Sequence, residues 1–262
     1  MQAKLHDITV NYEIDGPDNA PVIACSHCLA GNSDIWDAQV IALREKYRII
    51  RFDTRGHGNS SAPAGPYSME MLANDVVDLF DEIGIRKAHF IGISMGGMIA
   101  QTLALKHPEC ISSLILCDTA CGIPEAMRPV WDERIETVSR QGMSAVADAT
   151  LDRWLSPEFQ AQCPATTEKI REMILKTPVP GFVGCTHAIK NFDVTLRLPK
   201  ISIPTLIMVG ENDPGTPVDT ARQIQENING AELAILPHAY HLSNIEAADD
   251  FNKRLTSFLA KL

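Results

Sequence analysis

Apolar residues recur along the first part of the chain at two alternating spacings. Residues 7–14, "DITVNYEI", alternate apolar and polar, the period-two pattern of a strand with one face in water. "PVIACSH" (21–27) and "YRIIRFD" (47–53) are short apolar runs, as parallel strands covered on both faces should be. "SMEMLANDVVDLFDEIG" (68–84) steps its apolar residues by three and four, with Ser68 placed to cap its start and Gly84 its end. "AHFIGIS" (88–94) reads as a strand, "MGGMIAQTLALKHP" (95–108) as a helix and "ISSLILCD" (111–118) as a strand. From about Gly122 to Arg197 the period-two signal is lost. "VWDERIETVSRQG", "MSAVADATLDRWL", "ATTEKIREMILKTP" and "GFVGCTHAIKNF" all carry helical spacing there. The alternation then returns with strand "PTLIMVG", helix "VDTARQIQENI", strand "AELAIL" and helix "EAADDFNKRLTSFLAKL". Strand–helix units with short joins predict an α/β fold, a mostly parallel sheet with helices on both faces. The interruption predicts an all-helical cap at residues 122–197, inserted into a core made of residues 1–121 and 198–262.

Composition removes several classes of function. The chain is 45% hydrophobic and 21% charged, ordinary for a globular protein. No apolar run reaches the roughly 18 residues of a membrane span. The first residues carry no apolar signal region, so a cytoplasmic location is expected. A net charge of −10 argues against nucleic acid or an anionic membrane as partner. A small anionic substrate would need a local arginine. Seven cysteines, an odd number without a secretion signal, point to free thiols in a reducing compartment. Cys25 and Cys28 form a C-x-x-C, but within a strand and without a second pair, so they read as plain thiols. No metal or nucleotide motif is present, and neither a metal nor a cofactor is expected.

The chemistry concentrates at Gly92-Ile93-Ser94-Met95-Gly96, a G-x-S-x-G set where a strand turns abruptly into a helix. The glycines let the two backbones nearly touch, and the turn lifts Ser94 from the sheet edge as a candidate nucleophile. A serine hydroxyl needs a general base, and the base needs an acid to fix its tautomer. In this arrangement the acid follows a late strand and the base follows the last one. Asp213 is the expected acid, with Glu211 as competitor. His241 is the expected base, with His238 as competitor, since His241 sits where the loop enters the last helix. The oxyanion hole should use the backbone N–H of Met95 and that of Leu29, in the loop "ACSHCLAGN". His27 should hydrogen-bond within that loop. Asp53 and Arg55, in "DTRGHG", read as a fixed turn bonded to backbone or to each other. In the insertion, Trp131 and Arg134 are candidates to line a pocket, ahead of Trp154.

The elbow, "DTRGHG", "GENDPGTP", "HLSNIE" and the helical insertion together resemble the α/β-hydrolases. More narrowly, "RFDTRGHGNSSAPAGPYSMEMLANDV", "ISMGGMIAQ" and "VWDERIETVSRQGMSAVADATLDRW" resemble the 3-oxoadipate enol-lactonases over nearly the whole length. The lid segment is the most diagnostic part. The resemblance implies an eight-stranded sheet with a helical cap. It implies a Ser94–Asp213–His241 triad hydrolysing a small lactone that carries a carboxylate. One departure is the early loop, usually Asn-Ser-Leu-Gly, which here reads His27-Cys28-Leu29-Ala30-Gly31. The expected function is therefore a cofactor-free serine esterase or lactonase acting through an acyl-enzyme on Ser94. The alternatives are a C–C bond hydrolase of a dienoic ring-cleavage product and a perhydrolase or general esterase. A homo-oligomer is compatible with this reading. A non-catalytic ligand receptor on the same fold fits the intact Ser, Asp and His less well.

Overall fold

The structure, a computed structural model, describes residues 1–262. Eight strands form one sheet: β1 (Gln2–Lys4), β2 (Thr9–Asp15), β3 (Val22–Ser26), β4 (Arg48–Phe52), β5 (Ala88–Ile93), β6 (Ile111–Cys117), β7 (Thr205–Gly210) and β8 (Glu232–Leu236). They lie in the order β1-β2-β4-β3-β5-β6-β7-β8. The first two are antiparallel to their neighbours, and β3 to β8 run parallel. Every residue of β7 is buried, which explains why its sequence is an unbroken apolar run and not an alternation.

The core helices are α1 (Asp37–Leu43), α2 (Met69–Glu82), α3 (Met95–Lys106), α9 (Val218–Asn227), α10 (Ser243–Glu246) and α11 (Ala248–Leu259). Between β6 and β7 the insertion holds α4 (Arg128–Gln141), α5 (Ala147–Trp154), α6 (Pro157–Gln162), α7 (Pro164–Lys176) and α8 (Val179–Lys190). Helix α1 packs on α11, and α2 on α3. Ser68 caps α2 as the sequence suggests, its hydroxyl accepting from Met71 N at 3.1 Å. Four short elements escape the periodicity argument. Strand β1 has three residues, and α1, α6 and α10 have seven, six and four, fewer than two repeats of either pattern. The last helical segment is also split, with Ala247 at φ −117°, ψ 43° between α10 and α11.

The insertion leaves and re-enters the core at one neck. Val194 N donates to Cys121 O at 2.8 Å, and Ile123 N to Phe192 O at 3.0 Å. Its buried residues Leu151, Trp154, Ile170 and Phe182 join the same apolar cluster as the sheet. At Gly181 the backbone of α8 rests directly on the turn after β4. A Cβ there would fall 1.9 Å from Gly56 O. The topology thus brings the C-terminal ends of β3, β5, β6, β7 and β8 to one rim beneath the cap. No helix is long and apolar enough to cross a membrane.

Candidate active site

Ser94 occupies the turn from β5 into α3 at φ 55°, ψ −115°, a conformation few residues other than glycine adopt. Close packing holds it there. A Cβ on Gly92 would lie 2.1 Å from Gly96 O, and one on Gly96 2.2 Å from Ser26 O. Ser94 N donates to Cys117 O at 2.9 Å, and Ser94 O accepts from Thr119 Oγ1 at 2.7 Å. The side chain is half-buried at the rim. Behind it, α3 presents the positive end of its dipole.

Asp213 and His241 meet at the same rim. His241 Nδ1 lies 2.7 Å from Asp213 Oδ2. Asp213 also accepts from Gly215 N at 2.7 Å, Thr216 N at 3.1 Å and Thr216 Oγ1 at 2.5 Å. Burial pushes the Asp213 carboxyl up, but the His241 charge, the His241 bond and these donors outweigh it, and its pKa falls below the ordinary value. Burial likewise pushes His241 down. The attraction and hydrogen bond of Asp213 prevail and raise it above 6.5, while Arg153 pulls the other way. The ring's bonds go to Asp213 and Thr216, and none within 3.5 Å reaches Ser94 Oγ. Catalytic hydrogen bonds of this kind are often long until substrate binds. The competitors stand aside: the exposed His238 has its backbone N–H bound by Glu211 Oε2 at 2.9 Å, outside the site.

Three residues not anticipated from sequence tie these loops together. Asp118 directly follows β6, fully buried at φ 44°. Its Oδ1 accepts from Gly210 N at 2.8 Å, at the root of the Asp213 turn. Its Oδ2 is hydrogen-bonded to Ser243 Oγ, two residues past His241. Burial first, then the nearby Asp213 charge, drives the Asp118 carboxyl far above its ordinary pKa. Of the two acids, Asp213 has the donors and the imidazolium, so Asp118 keeps the proton. The sequence signal was available: an Asp at the end of a buried strand on the elbow's rim. Thr216 supports Asp213 as described. Glu246 accepts from Tyr240 N at 2.7 Å and from Ser156 N at 3.1 Å, joining the His241 loop to the cap.

The early loop is held by two buried neutral histidines. His57 Nε2 accepts from Ala30 N at 3.0 Å, and His27 Nε2 accepts from Thr54 N at 2.9 Å. An accepting Nε2 places the proton on Nδ1, which in His27 points to Cys28 O at 2.7 Å. Burial, then His27, pushes the His57 pKa down to about 3. With Ala30 N committed, the N–H of Leu29 donates to no protein group, and neither does that of Met95. The expectation for the "DTRGHG" turn needs one correction. Asp53 does bind backbone, accepting from Ser33 N and Asn59 N at 2.9 Å each. Arg55 does not pair with it. It binds Asp7 and Asp75 at 2.7 Å, because its side chain turns away from the site.

In the cap, the Arg134 guanidinium sits 5.0 Å over the Trp131 ring, and both are half-buried. Trp154 is buried, and its carbonyl accepts from Leu242 N at 3.0 Å. An open cleft lined by Phe159, Tyr240, Glu246 and the competitor His238 includes none of Ser94, Asp213 and His241. All seven cysteines are unpaired; burial pushes Cys25 and Cys28 up to about 12. No group of three or more His, Cys, Asp or Glu is placed to hold a metal ion.

The sequence profile of the alpha/beta hydrolase fold matches residues 21–248. Among curated proteins, "3-oxoadipate enol-lactonase 2" of Acinetobacter baylyi is 35% identical over 255 residues, covering 97% of this chain and 94% of that one. Among solved structures, the enol-lactonase from Burkholderia xenovorans LB400 superposes with a TM-score of 0.96 at 37% identity, covering 99% of this chain and 100% of that one. A malate-bound thermophilic esterase from Thermogutta terrifontis superposes with a TM-score of 0.93 at 28% identity, covering 100% and 98%.

Proposed function

This chain belongs to the α/β-hydrolase family and is a hydrolase of carboxylic esters, and on that basis we propose that it opens a small lactone, 3-oxoadipate enol-lactone or a near relative, through an acyl-enzyme on Ser94. His241 Nε2 takes the Ser94 proton as Oγ bonds to the lactone carbonyl carbon. The N–H groups of Met95 and Leu29 receive the oxyanion, each such donor being worth about 3–4 kcal/mol. The tetrahedral intermediate collapses by breaking the ring C–O bond. The released oxygen takes the proton from His241 and, as an enol, tautomerises to the ketone. Water then gives a proton to His241 and bonds to the acyl carbon. Cleavage of the ester to Ser94 returns that proton to Oγ and frees the carboxylic acid, which gives its remaining proton to solvent. Asp213 holds the ring tautomer and stabilises the imidazolium at each stage. No step calls for a cofactor, and seven unpaired thiols fit a cytoplasmic enzyme.

The observation that carries this reading is the 2.7 Å Asp213–His241 bond at the rim that also bears the strained Ser94 turn. The lactone is favoured because the enol-lactonases match this chain across almost its whole length, cap included. That a similar esterase holds malate supports a substrate with a free carboxylate. The test is a substrate panel of enol-lactone, simple esters and dienoates, with a fluorophosphonate probe. Labelling of Ser94 with preference for the lactone is the expected result. Preference for the dienoate would replace the lactonase by a C–C hydrolase, and failure to label Ser94 would remove the acyl-enzyme.

A further inference from the structure

We propose that Glu246 is a positioning residue for His241: its carboxylate straps the loop that carries the base to the cap, so that the seating of the cap sets where the imidazole stands relative to Ser94. The proposal rests on the hydrolase reading for the role of His241. Glu246 closes the "HLSNIE" run, and none of its hydrogen bonds goes to Ser94, Asp213 or His241. Its two oxygens take three donors instead. Oε2 accepts from Tyr240 N at 2.7 Å, and Oε1 accepts from Ser156 N at 3.1 Å and from Ser156 Oγ. Tyr240 immediately precedes His241. On the other flank, Leu242 N donates to Trp154 O at 3.0 Å. The residues on both sides of the base are thus tied to positions 154 and 156, the junction of α5 and α6 in the cap. Ser156 is itself fixed there, its Oγ accepting from Phe159 N at 3.1 Å.

The core holds the same loop from the opposite side. Asn212 N donates to Ala239 O at 2.9 Å, and a Cβ on Gly210 would lie 2.3 Å from Tyr240 O. Backbone packed on backbone leaves the loop no room toward β7, so the freedom that remains to it lies on the side of the cap. There the open cleft beside Phe159, Tyr240 and Glu246, about 480 Å³, leaves the strap without packing on its outer face. Hydrogen bonds carry the position, and a carboxylate acceptor makes them stronger than neutral ones. Ser156 is 90 positions from Glu246, so the strap exists only while the cap is seated on the core. Its consequence for the chemistry follows from the base itself. His241 is bonded to Asp213, yet no bond within 3.5 Å reaches Ser94 Oγ. A small displacement of the ring therefore decides whether Nε2 can take the serine proton, and about 1 Å of misplacement can cost about 10²-fold in rate.

An amide offers one acceptor oxygen where the carboxylate offers two, so E246Q leaves either Tyr240 N or Ser156 N facing an N–H. With p-nitrophenyl acetate, E246Q should lower kcat about 10–100-fold with KM little changed, and should slow fluorophosphonate labelling of Ser94 by a similar factor. S156A, which weakens only the cap end, should lower kcat in the same direction by less. The double variant should be no slower than E246Q alone, since both changes cut one strap. Hydrogen exchange followed by mass spectrometry gives a readout independent of turnover: in S156A the amides of residues 238–243 should exchange faster than in wild type. Were E246Q to misfold, S156A and its exchange still decide. A merely structural Glu246 would lower thermal stability and leave the kcat of the folded protein unchanged. Wild-type kcat in E246Q, or additive losses in the double variant, overturns the proposal and leaves the hydrolase standing. If wild-type protein neither turns over the ester nor labels at Ser94, exchange alone is read: faster exchange in S156A keeps the strap and removes the hydrolase reading, and unchanged exchange removes both.

Discussion

Replacing Asp118 with asparagine should stabilise the protein at neutral pH, and alanine at the same position should fall well short of asparagine. In the structure the carboxyl serves two buried partners, Gly210 N at 2.8 Å and Ser243 Oγ. Alanine strands both, at about 1–3 kcal/mol each, so D118A should be about 2–6 kcal/mol less stable than D118N at any pH. Asparagine keeps an oxygen for Gly210 N and turns an amide N–H toward Ser243 Oγ, so both bonds survive. The difference lies in the proton. Burial and the Asp213 charge hold Asp118 protonated far above its ordinary range, while the unfolded chain releases that proton near pH 3.9. The folded state therefore binds the extra proton, and wild-type stability falls as pH rises. The slope is about 1.4 kcal/mol per pH unit wherever the buried carboxyl remains protonated. The amide of the D118N variant has no such proton to release. The stability of D118N relative to wild type should thus grow by about 1.4 kcal/mol per unit above roughly pH 4, and level off once the buried carboxyl gives up its proton. Urea unfolding at pH 5, 6 and 7, followed by tryptophan fluorescence and extrapolated linearly, measures it. A stability difference that stays flat with pH, or a D118N as unstable as D118A, would falsify the neutral-carboxyl argument.

The proposed base gives a second expectation: kcat/KM should collapse as pH falls through a His241 pKa above 6.5, because Asp213 raises it. D213N should cut kcat by about 10⁴-fold and move that acid limb to lower pH, since burial, the largest influence on the ring, and Arg153 then face no partner carboxylate bonded to it; an unmoved limb in a pH–rate profile would contradict the pairing. H57L leaves the buried Ala30 N–H without its acceptor, so unfolding should show a loss of about 1–3 kcal/mol, with a fall in kcat as Leu29 drifts; wild-type kcat would refute the loop argument. G181A must push α8 off the β4 turn, because its Cβ would sit 1.9 Å from Gly56 O; thermal melts should register roughly 1–3 kcal/mol of overpacking, and an unchanged melting temperature would count against that contact.

The fold was largely legible because its elements are long and strongly patterned. Buried strands such as "TLIMVG" admit only apolar residues, and α2 declares its start with Ser68. The elbow was legible for a similar reason: Gly92 and Gly96 leave room for backbone alone, and a local motif records a local constraint. Asp118, Thr216, Glu246 and Arg153 were not, because each acts on a residue distant in the chain. Asp118 reaches 92 positions to Gly210 and 125 to Ser243. The choice of Asp213 and His241 could be narrowed by chain order, but Glu211 and His238 satisfied that order too.

Periodicity and steric need, both short-range, were enough to specify the longer strands and helices, the run of helices between β6 and β7, and the turn that carries Ser94. Convergence was decided elsewhere. Which histidine meets which carboxylate, which of two neighbouring acids keeps its proton, and which cap residues hold the base loop depend on burial and on distances across the sheet rim. Those quantities arise only when β6, β7 and β8 lie side by side, since electrostatic strength is set by desolvation and separation in space and not by separation along the chain.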